Sequence, residues 1–242
     1  KEFVVPDSAD GWADALKLGL ESWSTGKDIV FDYSLVRPAG VPLATKGGRA
    51  SGPEPLKKML DFVRTLFFRR QGNVLRPIDA HDIMCAIGSA AVSGGVRRTA
   101  MIALFDFDDI EMQTCKNGEN IKNNEQRWNA NNSAVWPERK LTQQEVTKFM
   151  MGMIESGRGE PGIFSRYSAN NTKPARRKAA KFGTNPCGEV FLRPLEFCNL
   201  SIAVARPDDT FETLKDKVEV ATIIGTIQSL ATHFPGLLPE WK

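Results

Sequence analysis

Three residues in the last third of the chain have side chains that suit radical and acid–base chemistry. Residues 185–189 read Asn-Pro-Cys-Gly-Glu, so an amide, a thiol and a carboxylate occur within five residues. Alternate residues of an extended chain point to one side, which predicts that Asn185, Cys187 and Glu189 face the same way. Such a group can hold a ligand by hydrogen bonds, remove a hydrogen atom with sulfur and move a proton with the carboxylate. A glycine-containing turn with a buried cysteine is the plainer alternative, and spacing alone favours it.

A turn that runs into a strand is predicted to carry these residues. Residues 183–189 have turn composition, and the apolar residues 190–192 follow as a short strand. Residues 199–204 are strand-like, and residues 211–234 have a helical pattern. Upstream lies a basic stretch, 173–181, of a kind that is typical of a solvated helix or loop face.

The rest of the chain alternates helical patterns with short apolar runs, which indicates an α/β fold. Pro6 with Asp7-Ser8 forms a plausible start for the first helix, and Asp79 or Asp82 a cap for the third. Residues 38–55 read as a loop, and residues 106–132 as loops around a short helix. The spacing predicts helices over 7–23, 55–70, 79–92 and 143–156, and strands over 30–36, 99–105 and 163–164.

Composition is that of an ordinary globular protein, with 41% hydrophobic and 25% charged residues among 242. A net charge of +3 is too small to indicate nucleic acid binding. No apolar run approaches the length of a membrane span, and the N-terminus lacks signal-peptide architecture, so we expect a cytoplasmic protein. The four cysteines form no Cys-x-x-Cys pair and only two histidines occur, so no metal site is predicted.

Residues 185–189 closely resemble the active-site finger loop of ribonucleotide reductases. Residues 93–100, Ser-Gly-Gly-Val-Arg-Arg-Thr-Ala, resemble the loop by which that family's effector nucleotide controls substrate choice. The similarity extends in register along almost the whole chain and points to the cobalamin-dependent branch. It also includes residues 5–12, 31–40, 51–56, 131–133 and 157–162.

The resemblance implies a role for each residue of the finger. In that family the cysteine becomes a thiyl radical that abstracts the 3′ hydrogen of the ribose, which assigns this role to Cys187. Asn185 then binds the ribose hydroxyls, and Glu189 acts as acid and base as the 2′ hydroxyl leaves. Cys198 matches one of two cysteines that supply electrons and end as a disulfide.

The resemblance also implies an effector site in the first half of the chain. The glycines of the second loop permit unusual backbone angles, and its arginines can reach phosphates or base edges. Two residues before the first helix match a segment that contacts the effector base, although they could equally form a helix cap. The effector residues are thus expected to be Asp7, Ser8, Gly94, Gly95, Arg97 and Arg98.

The fold implied is a ten-stranded α/β barrel of two antiparallel halves, each with five parallel strands, around a central finger loop. Residues 1–242 would form an incomplete barrel domain, and we expect another chain to supply the remainder and the second reducing cysteine. That contact should bury more than about 2,000 Å² in total. Expected ligands and partners are adenosylcobalamin, a ribonucleotide, a deoxynucleotide effector and a thioredoxin-type reductant. The expected regions are 1–105 for the effector, 106–182 for connecting helices and loops, 183–204 for the finger and following strand, and 205–242 for a helical segment.

Two alternatives stay open at this point. An iron- or manganese-dependent reductase, which receives its radical from a separate subunit, shares the Asn-x-Cys-x-Glu pattern. A non-catalytic nucleotide-binding regulator with the same fold would have no need to retain all four of Asn185, Cys187, Glu189 and Cys198. The residues do not indicate whether the substrate is a diphosphate or a triphosphate.

Overall fold

The structure, a computed structural model, describes residues 2–43, 48–92, 99–234 and 237–241. Helices and strands alternate along the chain, which confirms the predicted α/β class. The chain divides into two compact units, Lys1–Ser165 and Arg166–Lys242. Within the described ranges, no helix is both long and apolar enough to cross a membrane.

The first unit contains five strands and six α-helices among its described residues. Its strands are β1 (Glu2–Val4), β2 (Val30–Asp32), β3 (Met101–Asp106), β4 (Ala130–Val135) and β5 (Gly162–Phe164). Its helices are α1 (Ala9–Ser24), α2 (Glu54–Arg70), α3 (Pro77–Val92), α4 (Ile110–Thr114), α5 (Gly118–Lys122) and α6 (Gln143–Ser156), with a 3₁₀ turn at Glu125–Asn129.

The second unit is smaller and contains the candidate site. Its described elements are α7 (Arg166–Thr172), β6 (Gly183–Thr184), β7 (Phe191–Leu192), α8 (Phe211–Gln228) and a 3₁₀ turn at Pro239–Trp241.

Helices α1, α2 and α3 build the first core against the parallel pair β1–β2. On α2, Leu56, Met59, Leu60 and Val63 are all buried, as their spacing at one-turn intervals predicts. Ser8 caps α1, because its Oγ accepts a hydrogen bond from the backbone N–H of Gly11 at 2.9 Å.

The predicted cap of α3 was wrong. This helix begins at Pro77, so Asp79 and Asp82 lie inside its first two turns. Both carboxylates are buried and form ion pairs, Asp79 with Arg76 at 2.9 Å and Asp82 with Arg127 at 2.6 Å. Asp79 also accepts a hydrogen bond from the backbone N–H of Arg76 at 2.9 Å, so it contacts the helix start from within the first turn.

Strands β3, β4 and β5 form a parallel sheet in that spatial order. Gly162 of β5 packs closely on β4, because a Cβ there would lie 2.7 Å from the Ser133 hydroxyl and would require that side chain to move. The sequence prediction of loops over 106–132 missed the start of β4 and found one short helix where two exist. Asn131, Asn132 and Ser133 have low strand propensity, and backbone pairing with both neighbouring strands outweighs it.

The predicted bounds of several other helices and strands differ from those in the structure. The predicted strand 30–36 ends at Asp32, whose carboxylate accepts hydrogen bonds from the backbone N–H and hydroxyl of Ser34 and starts a turn. Helix α8 ends at Gln228 rather than at 234, and α7 was not predicted. Residues 199–204 have no strand partner in the described part of the chain. Helix α6, with a Thr142–Glu145 capping box, has the predicted bounds.

Candidate active site

An antiparallel hairpin presents the Asn-Pro-Cys-Gly-Glu segment. Strands β6 and β7 pair Gly183 with Leu192 and Thr184 with Phe191. Phe182, only 1% exposed, anchors the base of the hairpin, and its ring centroid lies 6.3 Å from that of Phe191. The predicted turn running into a strand is therefore confirmed.

Asn185 closes the turn at the tip of this hairpin. Its backbone carbonyl accepts from the Gly188 N–H at 3.0 Å, and its side-chain Oδ1 accepts from the Val190 N–H at 3.1 Å. Gly188 has a φ of +87°, a left-handed conformation that favours glycine. The segment is thus a tight turn whose shape is fixed by one amide and one glycine.

The turn corrects the expectation that three side chains face one way by strand alternation. Asn185 is 9% exposed and directed into the turn, whereas Cys187 and Glu189 are exposed. The alternative of a buried cysteine is wrong as well. The Cys187 thiol is presented to solvent at the tip, where another molecule can reach its sulfur.

Cys198 lies beyond a second turn and is half-buried. The Phe197 ring stacks on Phe234 at 4.4 Å between centroids and contacts Trp241 at 4.9 Å. On the other side, Asn199 Nδ2 donates to the Gly225 carbonyl of α8 at 2.8 Å. Cys198 is held between these two anchors, and all four cysteines are free thiols.

Two of the expected effector residues, Asp7 and Ser8, lie in the first unit. Asp7 forms an ion pair with Arg37 at 2.6 Å, and Ser8 is the cap of α1. The expectation for Gly94, Gly95, Arg97 and Arg98 falls outside the described residues.

A buried polar network in the first unit was not predicted from the sequence. Asp82 and Arg127 form a two-pronged ion pair with N–O distances of 2.6 and 2.7 Å, at 5% and 7% exposure. Burial opposes ionisation of Asp82, but hydrogen bonds from Arg127 outweigh it and lower the pKa of this carboxyl. These residues are 45 positions apart in the sequence. The sequence therefore shows a charged residue in a mostly apolar helix but does not identify its partner.

Asn132 of β4 joins this network to the Cys115 thiol and to the 157–162 segment, and His81 Nε2 lies 3.7 Å from the Cys85 sulfur. Its Oδ1 lies 3.1 Å from His81 Nε2, its Nδ2 donates to the Cys115 sulfur at 3.1 Å, and its backbone N–H donates to Glu160 at 3.1 Å. Burial raises the pKa of Cys85 to about 12 and that of Cys115 to about 11. Both thiols therefore stay protonated and are structural groups.

The four thiols are expected to differ sharply in reactivity, because the thiolate is the nucleophile and must also be reached. Iodoacetamide should modify Cys187 first and the half-buried Cys198 more slowly. Cys85 and Cys115 should react only when the chain is unfolded. Peptide mass spectrometry after timed alkylation, with and without denaturant, measures all four in one sample. Rapid labelling of Cys115 in the folded chain would contradict the described burial.

No protein-family model matches the chain. Its sequence is nevertheless similar over most of its length to ribonucleotide reductases, and so is its fold. A crystal structure of a B12-dependent (class II) ribonucleotide reductase superposes with a TM-score of 0.69 at 30% identity, covering 83% of this chain and 28% of that one. The chain is therefore a homologue of ribonucleotide reductases, as the resemblance of its motifs predicted.

More particularly, its curated relatives are adenosylcobalamin-dependent ribonucleoside-triphosphate reductases. That of Euglena gracilis is 34% identical over 224 residues, which are 89% of this chain and 29% of the relative. That of Lactobacillus leichmannii is 36% identical over 210 residues, 82% of this chain and 28% of the relative. The chain thus spans less than a third of the length of these relatives.

Proposed function

We propose that this chain carries the hydrogen-abstracting thiol of an adenosylcobalamin-dependent ribonucleoside-triphosphate reductase. The observation that carries the proposal is the exposed Cys187 at the tip of the Asn185–Val190 turn, in a chain homologous to such enzymes. The test is formation of deoxynucleotide from a ribonucleoside triphosphate by this chain together with the rest of the reductase, adenosylcobalamin and a dithiol. Absence of product in a correctly assembled enzyme would overturn the proposal.

Each of the three polar side chains of the turn has a different role in the proposed reaction. Cys187, as a thiyl radical, takes the 3′ hydrogen of the ribose and later returns a hydrogen atom to the sugar. The exposed Glu189 accepts the 3′ hydroxyl proton while the 2′ hydroxyl, protonated by one of the two reducing thiols, leaves as water. Asn185 fixes the turn through its Oδ1, and its Nδ2, which donates no hydrogen bond among the described residues, is available to a ribose hydroxyl.

Two electrons are needed to balance the loss of the hydroxyl. In the proposed reaction Cys198 and a second cysteine supply them. Ribonucleotide and two thiols become deoxyribonucleotide, water and a disulfide. The half-buried Cys198, held by Phe197 and Asn199, suits a thiol that must meet one partner and then be reduced again. We propose a thioredoxin-type dithiol as that reductant.

The residues present fit the proposed cofactor. An exposed thiol on a turn admits a bulky group, which the buried Cys85 and Cys115 cannot do. Adenosylcobalamin, when bound, would supply the homolysis from which the Cys187 thiyl radical derives. The relatives named for this cofactor favour it over the iron- or manganese-dependent alternative.

We propose that the rest of the reductase, in the same or a second polypeptide, completes a ten-stranded barrel around the finger. Helix α8 has no buried residue, and it exposes Val218, Val220, Ile223 and Ile227. Exposed apolar area of this kind marks a surface that another part of the protein covers. We further propose that a deoxynucleotide effector binds at residues 93–100. We also propose a cytoplasmic setting, where thiols stay reduced.

Substitution of Cys198 by serine is expected to stop multiple turnover without preventing radical formation at Cys187. A hydroxyl cannot enter a disulfide, so the electron supply fails after the radical has formed. Rapid-freeze electron paramagnetic resonance with cofactor and substrate would show the radical signal, and a product assay would show its failure to turn over. Loss of the signal itself would mean that Cys198 serves the structure instead.

A further inference from the structure

The candidate active-site hairpin is too short to fix its own position. Strands β6 and β7 have two residues each, Gly183–Thr184 and Phe191–Leu192. An isolated hairpin of this size is at best marginally stable in water. A thiol that takes a hydrogen atom from a ribose has to be placed to within about 1 Å. Contacts outside the two strands must therefore hold the hairpin.

The chain that leaves the hairpin is held by a local turn. The backbone N–H of Arg193 donates to Glu196 Oε2 at 2.6 Å, and the Glu196 N–H donates to the Arg193 carbonyl at 3.2 Å. Both bonds join residues three positions apart, so they shape this side of the hairpin locally.

The chain that enters the hairpin is held by a side chain of α7. Asn170 Oδ1 accepts a hydrogen bond from the Ala180 N–H at 3.0 Å, and Asn170 Nδ2 donates to the Ala180 carbonyl at 3.1 Å. Paired residues of an antiparallel ladder exchange the same two bonds, so this amide takes the place of a neighbouring strand. Residues 174–179, which connect α7 to Ala180, are exposed. The two bonds therefore fix the point where this exposed loop ends.

A second side chain of α7 holds the residue next to the hairpin. Arg166 Nε donates to the Phe182 carbonyl at 2.9 Å. Phe182 directly precedes β6 and is 1% exposed, so its ring is anchored while its carbonyl is held. Asn170 Nδ2 also donates to the Arg166 carbonyl at 3.1 Å and so links the two contacts. Cys187 follows five residues after Phe182, so a shift of this base is passed to the thiol.

We propose that Arg166 and Asn170, here named the α7 clamp, are positioning residues for hydrogen abstraction by Cys187. The clamp holds the entering chain at Ala180 and Phe182 and thereby sets the distance between the Cys187 sulfur and the ribose. The inference rests on the proposed function and adds to it two residues that act through the hairpin.

Kinetics of the completed reductase test the clamp. Asn170→Ala and Arg166→Met remove its hydrogen bonds and should lower kcat per folded molecule about tenfold or more, because hydrogen transfer depends steeply on distance. The KM for the triphosphate should change by less than about threefold. The isotope effect on kcat with 3′-deuterated substrate should rise, since abstraction becomes slow relative to the other steps. Arg166→Lys keeps a donor for the Phe182 carbonyl and should restore most of kcat.

A matched control removes a half-buried amide from the first unit. Asn124 Nδ2 donates to the Asn120 carbonyl at 2.9 Å, and Asn124→Ala should leave kcat per folded molecule and the isotope effect unchanged. Loss of folded protein lowers total activity but does not alter the isotope effect of the molecules that remain folded. An unchanged isotope effect in Asn170→Ala, or an Arg166→Lys variant as slow as Arg166→Met, overturns the inference.

Hydrogen exchange separates failure of the clamp from failure of the proposed function. In the assembled enzyme, the amides of residues 183–192 should exchange about three- to tenfold faster in Asn170→Ala than in wild type. Unchanged exchange there overturns the inference whether or not the enzyme turns over. If the wild-type enzyme reduces nucleotides and the clamp variants keep its kcat, only the inference fails. If exchange rises in the variants but Cys187→Ser still reduces nucleotides, the proposed function fails and the hold of α7 on the hairpin stands.

Discussion

Replacement of Cys187 by serine is expected to abolish nucleotide reduction and to leave the folded structure intact. A serine O–H bond is too strong for its oxygen radical to form at an accessible energy, so the first hydrogen transfer cannot occur. Because the thiol is exposed at the tip of a turn, the free energy of unfolding should change by no more than about 0.5 kcal/mol. A deoxynucleotide product assay and denaturant unfolding measure the two effects separately.

The matched control makes the same chemical change at a buried thiol. Cys115→Ser alters a group that accepts a hydrogen bond from Asn132 at 3.1 Å, so it should lower stability. It should leave the rate per folded molecule largely unchanged, because Cys115 has no proposed part in the chemistry. Appreciable multiple-turnover activity in Cys187→Ser would remove this residue from the mechanism.

The second large effect is expected in the buried ion pair. Asp82→Ala should cost about 3–5 kcal/mol, because it leaves the Arg127 guanidinium buried without its counter-charge. The pKa of Asp82 is lowered in the folded chain, so the carboxylate stabilises the fold above its usual value of 3.8 and less as the pH falls below it. The difference between wild type and variant should therefore narrow in acid. Urea unfolding at several pH values measures it.

Two controls isolate the burial of the charge. Glu119→Ala removes an exposed carboxylate that pairs with Lys122, and such pairs contribute at most about 1 kcal/mol. The double variant Asp82→Ala with Arg127→Met removes both charges and should be more stable than Asp82→Ala alone. A double variant that is no more stable than the single one would show that the cost comes from lost packing.

Helices with a clear apolar stripe were predictable from the sequence. The stripe on α2 and the Thr142–Glu145 box of α6 specify those helices locally, and the structure has them close to the predicted bounds. The finger hairpin was predictable because its glycines and Asn-Pro pair mark a turn before an apolar run. These features depend on near neighbours in the chain.

Features that depend on distant residues were not predictable. Strand β4 contains Asn131, Asn132 and Ser133 and is a strand because β3 and β5 pair with it on both sides. The Asp82–Arg127 pair exists only when α3 and the 3₁₀ turn meet. In the candidate site, strand alternation predicted that the Asn185 side chain faces the same way as Cys187 and Glu189. This was wrong, because the Asn185 side chain turns inward and accepts the hydrogen bond that closes the turn.

Helix α8 combines an exposed surface with residues that do not favour a helix. Eight of its 18 residues are Val, Ile or Thr, whose branched side chains lose rotamer freedom in helices and suit strands. Its Thr210 cap supplies a local start signal, but none of its residues is buried to offset the low propensity. Local preference and observed state therefore disagree in this segment. The proposed contact that covers α8 would also supply the free energy that keeps it helical, so we expect folding and docking of this segment to be thermodynamically coupled.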